Sequence, residues 1–435
     1  MSPVAAILLD LLRFNTTNPP GAEAACIAYL KHRFESAGIE YRLYARDPHR
    51  PNLVARVSGR GEAPPLLLYG HVDVVPVTDQ QWTHPPFAGR VIDGWVWGRG
   101  ALDMKDGIAM YADALLHAAK EPPRGDLIFL ALADEETGGK DGAQFMVERH
   151  PEVFTGVRHA FGEFGGATYH LQGRRLYPIM VAEKTPCIIR ATVTGTGGHG
   201  SLPHRGGAIA KLARFLATLD RHRLPVHITP PARHMVEAMA DALGGARGLM
   251  LRQLLHPRLT GWMLDRLGPD MAPVEATLYN TANATVVRGG DKFNVIPSKV
   301  EVTLDCRLLP GQHPEDLLRE LRAIAGPEVT FTVERLLDGG EVFDISQFEM
   351  LAGVLRDLDP GCYPIPNLLP AATDGRTLAK LGIQTYGFTP LKLPAGFSFY
   401  STIHAENERV PVEAVEWGAR AVWEAVRRYG SGQSK

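Results

Sequence analysis

Residues 126–139 read DLIFLALADEETGG, and the fold follows from how this stretch is read. Positions 127–133 are apolar without a break, the pattern of a strand buried on both faces as in a parallel sheet. The run stops at three acids, Asp134, Glu135 and Glu136, followed two residues later by a glycine pair. Carboxylates crowded at the end of a buried strand suffer repulsion and desolvation, so a cation or strong donors are expected beside them. Adjacent strand-end residues point to opposite sides. One carboxylate can therefore bind a metal while its neighbour reaches a metal-bound water. An exposed acidic loop is the plain alternative.

Outward from this stretch, the first half of the chain alternates short apolar strands with helical patterns, which argues for an α/β sheet domain. Residues 65–77 (PLLLYGHVDVVPV) are a strand candidate ending in a proline-marked loop. His71 and Asp73 form an H-x-D there, and side chains two apart on a strand share a face. Ligands of open α/β sheets bind at the C-terminal strand ends. A metal-ligating imidazole usually donates its other N–H to a carboxylate, and Asp73 is placed to accept it. Asp103 lies in GRGALDMKDG, where Gly98 and Gly100 permit a tight turn before a helical pattern over 102–120. Glu163 lies in FGEFGG and His404 in STIHAENERV. Each residue alone admits a structural reading: a surface pair, a helix cap, a turn. Together, His71, His404, Asp103, Glu136 and Glu163 are a hard nitrogen and oxygen donor set, suited to two zinc ions bridged by a carboxylate. Metals about 3.5–4 Å apart can polarise a carbonyl and generate hydroxide from water.

The patterning changes near residue 183. Residues 186–195, 284–287 and 299–308 alternate apolar with polar, as half-exposed strands do, and 329–335 reads as a further strand. Helical patterns cover 207–219 and 314–325, and one long helical segment is expected over roughly 232–267. Strand-type patterning resumes at 385–388, and 411–429 reads as a C-terminal helix. The expected organisation is a first domain over 1–184 and 339–435, with a smaller α+β domain over 185–338 inserted into it.

The 435 residues suit two domains. Hydrophobic content of 45% and charged content of 22% are those of a globular chain, and the net charge of −2 with no Lys/Arg run speaks against nucleic acid as a partner. No stretch has the ~18 apolar residues a membrane span needs. Cys26, Cys187, Cys306 and Cys362 form no CxxC pair, so reduced thiols in a cytoplasmic protein are expected. The N-terminal MSPVAAILLDLLRF, interrupted by Asp10 and Arg13, reads as an amphipathic helix rather than a signal peptide. The final GSGQSK is expected to be a disordered tail.

These residues resemble the dinuclear zinc metallopeptidase family of aminoacylase, acetylornithine deacetylase, succinyl-diaminopimelate desuccinylase and glutamate carboxypeptidase. The similarity runs from NTTNPPG at 15–21 to HAENERV at 404–410, through GHVDVVPV, GRGALDMKDG, DEETGG and EFGG in the family's order. The resemblance implies a zinc-aminopeptidase-like catalytic domain with a mixed, mainly parallel sheet and an inserted α+β lid or dimerisation domain. It implies two Zn2+, with Co2+ or Mn2+ as substitutes. Asp103 is the implied bridge, with His71 and Glu163 completing one zinc site and Glu136 and His404 the other. Glu135 is the implied general base and Asp73 the partner of His71. In the inserted domain, His199 of GTGGHGSLPHRGG is implied in oxyanion stabilisation. Asn294 and Arg307 are implied in contacts to the substrate's oxyanion or carboxylate, and a strand-edge ion pair of Arg307 with Asp305 is the alternative. Where the family often has Gly-Gly-Thr, this chain has Ala371, Ala372 and Thr373, with Thr373 as the remaining substrate-binding candidate. Residues 221–280 add helical sequence, as in longer members resembling carboxypeptidase S.

The implied reaction is hydrolysis of an amide bond beside a free carboxylate, in an N-acyl amino acid or small peptide, by a metal-activated water with Glu135 as base. A dipeptidase or carboxypeptidase is the alternative to a deacylase. An inactive, metal-stabilised binding protein would require loss of a ligand or of the base, and all six positions are present. A cofactor-binding α/β oxidoreductase would want GxGxxG after the first strand, and none stands there. Homodimerisation through the inserted domain is open.

Overall fold

The computed structural model describes residues 1–268 and 271–431. From residue 432 on, the expected tail lies outside the described residues. By the packing of its backbone the chain forms two units, one of residues 1–182, 340–367 and 373–435, the other of residues 183–339 and 368–372.

The first unit is built on a nine-stranded sheet. At its centre Leu127–Leu132, Leu66–His71, His159–Gly162 and Gln384–Gly387 lie side by side and run parallel. All six residues of Leu66–His71 and of Leu127–Leu132 are buried, which is why both read as unbroken apolar runs. Antiparallel strands flank them, Asn52–Val57 on one side and Arg174–Glu183 on the other. On one face Lys105–Ala118 packs between Pro3–Leu12 and Val412–Arg428, burying Ile108, Tyr111 and Leu115 with Trp417 and Val422. The opposite face is covered by Met146, Phe154 and Leu378. Parallel strands place their C-terminal ends on one edge, so the loops after residues 71, 132, 162 and 387 emerge together.

The second unit is a four-stranded antiparallel sheet in the order Thr281–Arg288, Lys299–Leu308, Thr185–Thr194, Val329–Leu336. Along Lys299–Leu308 every second residue is buried, so its apolar face meets the helices Ala208–Arg221 and Pro314–Ala325 through Leu212, Phe215, Leu317 and Leu321. The long helix expected over 232–267 is broken. Pro230–Leu243 stops at Gly244, whose φ of +64 leaves the helical region, and Pro257 starts a new helix after Gly245–Arg252 and a 3-10 turn. Among the described residues no helix is long and apolar enough to cross a membrane. All four cysteines are buried and unpaired; Cys187 lies opposite Cys306 on neighbouring strands.

Candidate metal centre

The C-terminal strand ends bring together residues far apart in sequence. His71 closes its strand, Glu135 and Glu136 follow Leu127–Leu132, and Glu163 follows His159–Gly162. Asp103 precedes the helix Lys105–Ala118 without capping it: the N-cap is Met104, and its side chain caps nothing. The Asp103 carboxylate instead faces two imidazoles. Its Oδ1 is 3.1 Å from His71 Nε2 and its Oδ2 is 3.0 Å from His404 Nε2. Each histidine has a second carboxylate of its own. His71 Nε2 is 3.5 Å from Glu163 Oε2, and His404 Nε2 is 3.4 Å from Glu136 Oε1. His71, Asp103, Glu163 and Asp73 are buried, whereas the His404 side chain is 49% exposed.

Asp73 joins two of these strand ends. Its carboxylate accepts the backbone N–H groups of Glu135 and Glu136, both at 3.1 Å, and the Asn18 amide at 2.8 Å. The other nitrogen of His71, Nδ1, is closer to the Asp73 carbonyl oxygen (3.0 Å) than to its carboxylate (3.5 Å). Asp134, with φ +69, turns the chain here and accepts from Arg50 at 2.8 Å; Arg50 in turn pairs with buried Glu23.

The electrostatics call for a cation. Burial, with repulsion from Glu163, pushes Glu135 well above the carboxylate range. Burial likewise raises Glu163 to about 8 and Asp374 to about 6, and it raises Glu136 in spite of His404. Asp103 is the exception: hydrogen bonds from His404 and His71 outweigh burial and hold it well below its usual range. His404 rises to about 10 through Asp103 and Glu136. For His71, burial is outweighed by Asp103, Asp73 and Glu163, and the imidazole is held well above its usual range. Both imidazoles stand among acids that burial would otherwise push towards the neutral form. The donor atoms of His71, Glu135 and Glu163 lie within 4.8 Å of one another, as do those of His71, Asp103 and Glu136. The Oε1 of Glu136 is buried and accepts no hydrogen bond among the described residues. This donor set fits divalent metal.

Other expected residues have different surroundings. Thr373 is fully buried, and its hydroxyl accepts the Gly375 N–H at 2.9 Å. Its neighbour Asp374 is buried beside the acids with neither oxygen hydrogen-bonded among the described residues. In the second unit, His199 and Asn294 are adjacent: Gly200 N–H donates to the Asn294 carbonyl at 2.8 Å, and His199 pairs with Val295. His199 is exposed, its Nδ1 2.7 Å from the Ser201 hydroxyl. Arg307 makes two hydrogen bonds to Asp305, at 2.8 and 2.9 Å. That is the ion pair weighed above, on an interior strand of the sheet rather than at its edge.

Sequence reasoning missed Glu408 and Arg99. Glu408, with no exposed surface, accepts from Gly100 N–H, Leu102 N–H and Asp103 N–H and pairs with Arg99. Arg99 donates to the His404 carbonyl at 3.1 Å. The signal was present in the acid four residues after His404 and the arginine between Gly98 and Gly100, but only as unassigned charges.

A parallel sheet whose strand ends gather two imidazoles around one shared carboxylate is the framework of a metal-dependent amide hydrolase. Residues 67–428 match the model of peptidase family M20/M25/M40, and the chain belongs to that family of metal-dependent hydrolases. It is 30% identical to the N-fatty-acyl-amino acid synthase/hydrolase PM20D1 of Bos taurus over 385 residues, 83% of this chain and 74% of that protein. In fold it is similar to an M20 family metallo-carboxypeptidase of Sulfolobus solfataricus, with TM-score 0.69, 18% identity and coverage of 99% of this chain and 100% of that one. It is similar also to a dinuclear metal-binding M20 peptidase of Bacillus subtilis, with TM-score 0.61, 16% identity and coverage of 98% and 96%.

Proposed function

We propose that this chain is a dinuclear zinc deacylase that hydrolyses the amide bond of N-acyl amino acids. The observation that carries the reading is Asp103, whose two oxygens face different imidazoles, each backed by a second carboxylate. His71 and Glu163 would hold one metal, Glu136 and His404 the other, with Asp103 shared. When bound, two divalent cations supply Lewis acidity for the carbonyl and lower the pKa of a water. Glu135, raised by burial, takes a proton from the attacking water and hands it to the leaving amine. Asp73 keeps the His71 strand in register with the Glu135–Glu136 turn. From the second unit we assign His199 to the oxyanion, and Asn294 and Arg307 to the substrate's polar end. Arg307 would exchange Asp305 for the substrate carboxylate, and Thr373 would act by shaping the turn that holds Asp374.

The Bos taurus relative named for N-fatty-acyl-amino acids supports the substrate class. The likeness to the Sulfolobus metallo-carboxypeptidase keeps peptide cleavage as the second reading. We further propose a cytoplasmic homodimer. Four buried, unpaired cysteines suit a reducing compartment. The strand Thr281–Arg288 closes its sheet with Asn283–Arg288 exposed, an open edge suited to a second copy. The test is hydrolysis of N-acetyl, N-succinyl and long-chain N-acyl amino acids against dipeptides, with chelation and re-addition of zinc, cobalt or manganese. Turnover of dipeptides alone would replace deacylase by peptidase. Turnover indifferent to chelation would remove the metal.

A further inference from the structure

A cavity of about 250 Å3 opens in the first unit between residues 164–170 and 396–400. Aromatic rings dominate its wall: Phe164, Tyr169, Phe397, Phe399 and Tyr400. Phe164 meets Phe399 edge-on with ring centroids 6.4 Å apart, and Phe399 meets Tyr400 at 5.4 Å. Two polar side chains in the wall, Thr168 and His170, are committed to the backbone. The Thr168 hydroxyl donates to the Leu391 carbonyl and accepts from Leu393 N–H, both at 2.9 Å, and His170 Nε2 lies 3.2 Å from the Leu393 carbonyl. Among the described residues no lysine, arginine, aspartate or glutamate lines the space. A charged guest would be desolvated there with no counter-charge, whereas an apolar one gains contact area.

Both wall segments adjoin residues of the metal centre along the chain. Phe164 follows Glu163, whose carboxylate is 3.5 Å from His71. The helix Phe399–Thr402 ends two residues before His404. Phe164 has φ +57 and His404 φ +58, left-handed backbone that bulky residues seldom adopt. Strain of this kind persists where the surroundings hold a side chain in a required direction. The turn is also pinned behind Phe164, because a Cβ on Gly165 would lie 1.8 Å from the Gly387 carbonyl oxygen.

We propose that this aromatic cavity receives the acyl chain of the substrate and makes the enzyme selective for medium-length apolar acyl groups over acetyl. The proposal rests on the deacylase reading above. A volume of about 250 Å3 has room for a chain of several methylenes.

The test compares kcat/KM of the metal-loaded enzyme for N-acetyl-, N-butanoyl- and N-octanoyl-leucine, the same acyl series on glycine, and a dipeptide pair. The expected result is a rise of at least about a hundredfold from acetyl to octanoyl on either amino acid, below the ~3,000-fold that six fully buried methylenes would give. Phe399→Ala and Tyr400→Asp should each lower octanoyl turnover at least about tenfold more than acetyl turnover. Bound metal is measured in each variant. Tyr400 is about half exposed, so its variant keeps the test usable if Phe399→Ala does not fold. A flat profile in acyl length, or equal losses on both substrates, overturns the cavity assignment while leaving deacylation standing. A profile flat in acyl length but steep between leucine and glycine also overturns it, moving the cavity to the amino-acid side chain. Cleavage of dipeptides with no N-acyl amino acid turned over removes the deacylase reading, and this assignment with it.

Discussion

Replacing Glu408 by alanine should loosen the metal centre while every proposed ligand side chain is kept. The carboxylate is fully buried, and its two oxygens serve four donors. Oε1 accepts Leu102 N–H at 2.7 Å and Asp103 N–H at 3.3 Å, while Oε2 accepts Gly100 N–H at 3.1 Å and the Arg99 guanidinium. Arg99 is 1% exposed, so the alanine variant strands a buried cation, which costs about 3–5 kcal/mol. Against a total stability of about 5–15 kcal/mol the variant folds, but with a much reduced margin. The functional consequence is specific, because Glu408 orders the turn that carries Asp103 and, through Arg99, grips the His404 carbonyl. Metal affinity measured by chelator competition should fall about 10–100-fold, the usual cost of losing a partner behind a ligand. Glu408→Gln, which keeps the shape and one acceptor oxygen, should lie between the variant and wild type in both urea midpoint and metal affinity. Wild-type affinity for both metals in a destabilised Glu408→Ala would refute the argument: Glu408 would then hold the fold and not the site.

Glu135→Gln should retain both metals by elemental analysis and lose about 10²–10⁴ in kcat; full turnover would remove Glu135 as the base. His199→Ala should lower kcat about 10²–10³-fold with a smaller change in KM, and an unchanged kcat would take His199 out of the oxyanion role. Lys184, buried in the second unit, donates to the Ala276 and Tyr279 carbonyls at 2.9 and 2.8 Å, and burial pulls its pKa down to about 7. Its folded pKa lies below the unfolded value of about 10.4, so between those limits the unfolded chain holds the extra proton and stability rises with pH. The difference in urea midpoint between wild type and Lys184→Met should therefore grow in favour of wild type from pH 7 to 10, and a pH-independent difference would contradict the lowered pKa of Lys184.

The strands and helices of the site were legible because the signals are local. An apolar run ending in acids marks a strand end whatever surrounds it, so residues 66–71 and 127–132 stood out, as did the glycine-rich turn bearing Asp103. The helical stretch after residue 230 was legible as helix but not as three helices, since a broad apolar pattern hides the break at Gly244.

The amino-acid sequence by itself determined which side chains could do chemistry and that several sit where buried strands end. The family resemblance implied how the ligands group around Asp103, and only the tertiary structure decided the individual contacts. It set one oxygen of Asp103 against His71 and the other against His404, turned Arg307 onto Asp305, and left Asp374 rather than Thr373 among the acids. It also joined Arg99 to Glu408 across 309 positions of chain. Spacing along a chain encodes direction only over a few residues, through the periods of strand and helix. Contacts between distant segments depend on sheet order and loop path, which no local pattern carries.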